Sequence, residues 1–373
     1  MTETYDQWVE SLGLPIHKGY YIEDLRKVEL GWWEEKGCNA AFIQLVGFEG
    51  IAETKVTGIP PGKTTLPWRF ALDEIFYVVE GRGLATVWGA EHSARKTFEW
   101  QKHSLFVIPR QSFYQLSNAQ GDKPATLISY NHLPLAMWAV GDPEFFFNNP
   151  YVSKQGNALE DFYSEAKGDL SEEKGRPYLG NRYERYGSRF LAWYGNFFPD
   201  MGAWDKLDQF KFRGAGGSVV WIIYPNSWPN FAHMSVFPAR TYKKAHYHGP
   251  GAFILIPAGE GYSVMWEKGH EVGKEGIIAP WNEGSCFGPQ MYHQHFNVGS
   301  TPARYLVLQT VGRPGRSERD LEQGTNQIEY PDEDPWIRQT FEKELARRGL
   351  TSLMDEKAYK DRNYKWGYTE DLV

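Results

Sequence analysis

Cysteine is nearly absent from this chain: Cys38 and Cys286 are the only two in 373 residues. They stand far apart and outside any C-x-x-C motif, which excludes a disulfide framework and a thiolate zinc cage. No run of lysine or arginine forms a stripe and the net charge is −7, so the chain is not expected to bind nucleic acid. No apolar stretch reaches the length of a membrane span. The opening, MTETYDQWVESLG, has neither the basic nor the apolar region of a secretory signal. Phosphate-loop, dinucleotide-fold, H-E-x-x-H and G-x-S-x-G motifs are all missing. The expectation is a cytoplasmic protein with a small-molecule partner and no contact with membrane.

Aromatic residues, by contrast, are abundant: 15 Trp, 22 Tyr and 22 Phe make up 16% of the chain. Flat side chains pack well on pleated surfaces, so this composition favours β-structure. Strand signals run from AAFIQLVGF through EIFYVVEGRGLATVWG to ATLISYNHL, in short β-rich pieces punctuated by Gly and Pro. They resume at SVVWIIYP and continue to RYLVLQTVG. Between them, Leu159, Phe162 and Tyr163 sit at helix-like spacing among charges. PWIRQTFEKELARRG puts Trp336, Ile337, Phe341 and Leu345 on one helical face and ends in glycine. The organisation expected is an N-terminal extension with a first barrel over 1–139 and a connection with a helix over 140–213. A second barrel over 214–312 and a C-terminal helical extension over 313–373 follow.

The two β-rich blocks match each other. EIFYVVEGRG (74–83) parallels AFILIPAGEG (252–261), each an apolar strand followed by G-x-G. IPRQSFYQLSN (108–118) parallels FGPQMYHQHFN (287–297), with Asn four residues after a Tyr or His in both. A repeated strand, turn and hairpin of this kind points to duplication of an antiparallel unit.

The duplicated pattern resembles the cupin superfamily, whose two motifs supply H-x-H, a later Glu, and H-x3-N. In the second half, His246 and His248 form H-x-H, and His293 with Asn297 forms H-x3-N. The resemblance implies an all-β bicupin, two double-stranded β-helix (jelly-roll) barrels with a helical connection and a C-terminal helix. Residues i and i+2 of a strand share a face, so His246 and His248 are expected to point together into the barrel. With His293 from another strand they would hold one divalent metal. Ala252 stands where the family places its glutamate ligand, so the site is expected to be three-histidine. Such sites are similar to those of Fe(II) dioxygenases of the gentisate 1,2-dioxygenase type, although HYHGPGAF departs from those enzymes' H-R-H-T. The first half has Glu74 but Trp68, Phe70 and Tyr114 at the histidine positions, and is expected to be metal-free.

Two further residues are candidates for catalysis. His295 follows His293 by two and could replace it as the third ligand, carry protons, or be a hydrogen-bonded histidine near the pocket. Lys244 shares parity with His246 and could hold an anion. Tyr262, Trp266, Gln290 and Tyr292 are candidates to line the pocket, while His233 reads as a core or surface residue and Arg304 as an anion binder or an ion-pair partner. The function expected is a metal-dependent dioxygenase, with Fe(II) as cofactor, acting on a small aromatic or oxygenated organic acid. The alternatives are a non-oxidative lyase, decarboxylase or isomerase using Mn, Ni or Zn, and a non-catalytic binding bicupin. Because bicupins often associate, the resemblance extends to a homo-oligomer.

Overall fold

In a computed structural model of the protein, the residues described are 3–89, 95–151, 162–164, 166–170, 191–203, 208–209, 214–215, 218–224, 227, 230–247, 252–288, 290–310, 327–364 and 366. The first half contributes β1 (Glu53–Ile59), β2 (Trp68–Arg69), β3 (Glu74–Glu80), β4 (Arg82–Trp88), β5 (Lys96–Gln101), β6 (Leu105–Ile108), β7 (Phe113–Asn118) and β8 (Ala125–Asn131). They pair as two sheets, β1-β8-β3-β6 and β2-β7-β4-β5. The second half contributes β9 (Asn230–Phe237), β10 (Ala245–His246), β11 (Phe253–Ala258), β12 (Gly261–Trp266), β13 (Ile277–Trp281), β14 (Cys286–Phe287), β15 (Tyr292–Asn297) and β16 (Ala303–Thr310). These pair as β9-β16-β11-β14 and β10-β15-β12-β13. The order repeats strand for strand, every pairing is antiparallel, and each half is a jelly roll. The chain therefore folds as two jelly-roll barrels.

The residues that repeat in the sequence do the same physical work in both barrels. Gly81 and Gly259 have φ of 103° and 113°, and a Cβ there would lie 2.8 Å from Ala125 and 2.6 Å from Ala303. A Cβ on Gly83 or Gly261 would come within 1.9 Å of the Ser117 or Phe296 carbonyl oxygen, respectively. Only glycine fits either turn. The Asn118 amide donates to the carbonyls of Ile59, Pro60 and Lys123 at 3.1, 3.3 and 2.8 Å. Asn297 reaches the carbonyls of Pro238 and Thr301 at 3.1 and 2.9 Å. In both barrels this asparagine ties neighbouring loops together, a structural task.

Burial patterns show which sheet lies where. β3 is buried along nearly its whole length, while β4 alternates buried and open positions, as expected for a strand covered on one face only. One core cluster joins Ile75, Tyr77 and Val79 of the first barrel to Met234, Phe253, Leu306 and Leu308 of the second. Phe48 meets Phe253 edge-on at 5.7 Å. The N-terminal arm ties the halves further, since Tyr21–Ile22 pairs with β14 of the second barrel.

Most of the stretch expected to carry the connection's helix, 152–161, lies outside the described residues. Phe162 and Tyr163 lie in a turn, Lys167–Leu170 is a strand, and Leu159 lies outside the described residues. The two rings are held individually by the first barrel. Tyr163 packs on Phe98 at 4.3 Å and donates to the Val107 carbonyl at 2.8 Å. Helix is present at Leu133–Val140, which ends on Gly141 in the left-handed conformation, and again within the expected connection at Glu144–Phe147.

The C-terminal helix runs over Pro335–Arg347, with Asp334 accepting from the Trp336 amide at 2.8 Å as its cap. Ile337, Phe341 and Leu345 are buried against Tyr242, Tyr262 and Phe296 on the outer face of the β10-β15-β12 sheet. Each contributes about 1.5–3 kcal/mol by leaving water. Among the described residues no helix is long and apolar enough to cross a membrane.

Candidate metal centre

Alternation along β15 sorts its residues into two sets. Tyr292 and Phe296 belong to the outer cluster under the C-terminal helix, while His293 and His295 point the other way, into the barrel. Their partners on β12, Met265 and Ser263, face inward with them. His246 of β10 stands directly opposite His293. The rings of His246 and His293 are 4.2 Å apart between centroids, and those of His293 and His295 are 5.3 Å apart. All three are buried.

Hydrogen bonds give these imidazoles different characters. His293 Nδ1 lies 2.9 Å from the Met291 carbonyl and His246 Nδ1 lies 3.1 Å from the Lys244 carbonyl. A carbonyl only accepts, so both rings carry their proton on Nδ1 and present the Nε2 lone pair. That is the form a metal ligand needs. His295 Nδ1 lies 2.8 Å from Ser263 Oγ, which accepts from Trp281 Nε1 at 2.9 Å. The indole only donates, so the serine hydroxyl proton is available to His295. In that arrangement the His295 ring bears its proton on Nε2 and is a donor.

His248 lies outside the described residues, and among those described no three His, Cys, Asp or Glu side chains gather into a ligand group. His246 and His293 fit a shared divalent ion in tautomer, burial and spacing, given ligand distances of about 2 Å to each nitrogen. Neither cysteine competes, because burial pushes both thiols up and keeps them protonated.

Lys244 requires a correction. The Tyr242–Phe296 bridge and the His246–His293 pair differ by one residue in register. The extra residue reverses parity between Tyr242 and His246. Lys244 consequently points out of the barrel, ion-paired with Glu329 at 2.5 Å and 5.9 Å from the Tyr330 ring centroid. Lys243 takes the inward place: it is buried, donates to Ser235 Oγ at 2.5 Å, and lies over the rings of Phe237 and Tyr305.

The pocket candidates Tyr262, Trp266 and Tyr292 likewise lie in the outer cluster, and Gln290 faces Gly47 of the first half. Arg304 alternates with the inward Ala303 and Tyr305, so it faces away. His233 alternates with the inter-barrel Ala232 and Met234 and faces inward, 2.8 Å from Gln309 and near Tyr305. Alternation counted back from Phe237 would have found it. The bulge that turns Lys243 inward has no signature in the residues themselves.

The first barrel places charge at the matching point. Glu74 accepts from Lys55 and from the Tyr114 hydroxyl, both at 2.8 Å. Lys55 also pairs with Glu53, and Lys36 reaches Tyr114 at 3.1 Å from among the rings of Trp33 and Trp68. Burial alone would raise the Glu74 carboxyl, but Lys55 and Lys36 hold it down at about 2.

Fold and site together define a duplicated jelly roll with imidazoles inside its second barrel. The structure is similar to an oxalate decarboxylase from Lactobacillus farciminis in complex with formate, with 13% identity, a TM-score of 0.46, and 79% of this chain and 86% of that chain covered. It is also similar to a deletion mutant of the Bacillus subtilis oxalate decarboxylase, at 10% identity and a TM-score of 0.45, covering 78% of this chain and 77% of that one. No family model matches the chain, and no curated protein does.

Proposed function

We propose that the protein is a metal-dependent cupin enzyme acting on a small organic acid, with His246, His248 and His293 as ligands. The observation that carries this reading is the facing pair His246 and His293, each with Nδ1 turned to a backbone carbonyl. Bound there, a divalent ion would serve as a Lewis acid toward a substrate carboxylate. Lys243 brings positive charge to the interior that suits the same carboxylate. His295, fixed by Ser263 and Trp281, holds its Nε2 proton inside the barrel and offers it as a hydrogen-bond donor to charge that develops on the substrate. The apolar walls, among them Phe287, Trp281 and Tyr305, exclude water.

A hydrogen-bond donor beside a Lewis-acidic site supports non-oxidative chemistry, decarboxylation or another lyase reaction, as the first reading. Oxalate decarboxylation, the activity named for the similar structures, heads the substrate panel. One observation favours the dioxygenase reading instead: the buried Ala252 at the family's glutamate position, which leaves a ligand set of imidazoles alone. Protein purified without chelator is analysed for metal and then assayed on a panel of small carboxylic acids, with and without oxygen. Full anaerobic turnover supports the lyase reading. Turnover that consumes oxygen in step with substrate overturns it in favour of the dioxygenase, and neither metal nor turnover overturns both.

A further inference from the structure

Behind the histidine strands, on the outer face of the second barrel, lies a cavity of about 270 Å³. Gln294 and Ala245, each next in sequence to one of the facing histidines, line it together with Trp266, Tyr292 and Glu333. Gln294 is fully buried. Its Nε2 donates to Glu333 at 3.2 Å, but its Oε1 meets no hydrogen-bond donor among the described residues. An orphaned buried acceptor costs about 1–3 kcal/mol, so it points to a donor from outside the chain.

The charges around the cavity narrow the chemistry of that donor. Asp332 is paired with Arg362, Asp334 caps the C-terminal helix, and His270 lies 3.4 Å from Glu275. Glu333 differs from them. It accepts from the Tyr242 hydroxyl and from Gln294, and it has no ion-pair partner among the described residues. Burial pushes its carboxyl up to about 7, against the opposing pull of the Tyr242 and Gln294 hydrogen bonds and the Arg338 charge. No lysine or arginine lines the cavity among the described residues, and the buried rings of Trp266 and Tyr292 stack 5.8 Å apart on its wall. Acceptors, an unpaired carboxylate and aromatic surface together suit a cation.

We propose that this cavity is a second small-molecule site, which binds a small organic ammonium through Gln294 Oε1 and the Glu333 carboxylate, with its apolar part against Trp266 and Tyr292. The site is separate from the barrel interior, reached from the other side of the same two strands.

Calorimetric titration of the full chain with benzylammonium, benzyl alcohol and benzoate tests it, at about pH 8 so that Glu333 is ionised. Benzylammonium is expected to bind one per chain and at least about tenfold tighter than the alcohol, with benzoate weakest. Glu333→Gln keeps the hydrogen-bonding positions but removes the charge, and is expected to weaken benzylammonium about tenfold or more. Gln294→Leu is expected to do the same, and a thermal melt shows whether that variant is folded. Equal affinity for amine and alcohol, no binding of the amine at millimolar concentration, or unchanged binding in Glu333→Gln overturns the proposal. So does binding that is kept in Glu333→Gln and lost in His293→Ala, which would put the amine inside the barrel.

Discussion

The two barrels agree down to the same turn glycines and loop-tying asparagine, and differ at one point of the interior. Ile59 pairs with Ala125 and Phe237 with Ala303, so Lys55 and His233 occupy equivalent places on β1 and β9. Glu74 and Ala252 are equivalent in the same way, each preceding the turn glycine by the same interval, and Tyr114 matches His293. The first barrel fills this point with a closed set of charges, Glu74 and Glu53 against Lys55, capped by Tyr114. The second fills it with neutral imidazoles. A buried carboxylate without a cation is costly, and the first barrel supplies that cation from its own chain. Neutral imidazoles need no cation from the chain to offset them. One scaffold thus supports a closed ion network in one interior and a group of imidazoles in the other, and the difference rests on a handful of side chains.

The largest expected contrast separates activity from stability. His293→Ala should lower bound metal and turnover by more than about 100-fold, since even partners one shell beyond a ligand cost 10–100-fold. Tyr114→Phe, at the matching place in the first barrel, should leave turnover within about twofold while losing about 1–3 kcal/mol of stability from the hydrogen bond to Glu74. Metal analysis and steady-state rates on both variants check this. Equal losses of turnover would mean that the barrels are not functionally divided.

Next in size is the ion network itself. Lys55→Met leaves Glu53 and Glu74 buried together without their shared ammonium, and should cost about 3–5 kcal/mol in denaturant melts. Adding Glu74→Gln to the same chain should recover more than about 1 kcal/mol, because it removes the stranded charge. A cost below about 1 kcal/mol for Lys55→Met would show that the network contributes little.

The jelly rolls were legible because period-two apolar strands and the repeated G-x-G and Asn each have a local physical cause. Glycine is forced by the carbonyl it would otherwise strike, and asparagine by the loop carbonyls it ties. His246, His293 and the amphipathic helix at Pro335–Arg347 follow similarly from alternation and helical spacing. What escaped was set by tertiary register. The bulge between Tyr242 and His246 exchanges Lys243 for Lys244, which no count along the strand reveals. Tyr262, Trp266 and Tyr292 face away from the barrel interior, where Trp266 and Tyr292 line the outer cavity and all three pack with the C-terminal helix. Nothing in the residues around Lys36 and Lys55 marks them as buried; only closure of the barrel places them there.

Acid titration offers a smaller effect that belongs to the first barrel alone. Glu74 is held at about 2 against an ordinary value of 4.5, so its carboxylate contributes about 3 kcal/mol to the native state. Because the folded value is the lower one, that contribution is complete above pH 4.5 and disappears as pH falls through 2. His132 acts in a different window: burial lowers it from 6.5 to about 4. Below pH 6.5 the unfolded chain takes up a proton there that the native chain refuses, and stability declines toward pH 4. Melts of Glu74→Gln against wild type should therefore differ most above about pH 4.5 and converge as pH falls to about 2. A constant difference across the range would remove Lys55 and Lys36 as the cause.

The finest test concerns two adjacent lysines in the second barrel. Lys243 lies inside with Ser235, Phe237 and Tyr305, whereas Lys244 is paired outside with Glu329. If the interior accepts a carboxylate substrate, Lys243→Met should raise KM about tenfold, a loss of about 1.4 kcal/mol of binding, with kcat changed less. Lys244→Met should leave both constants within about twofold, since its pair with Glu329 lies on the far side of the strand and touches no substrate. The reverse outcome, with Lys244 controlling KM, would mean that the register shift between Tyr242 and His246 is misplaced. In that case the inward set would be the one expected from simple alternation, and Lys243 would face the C-terminal segment in its stead.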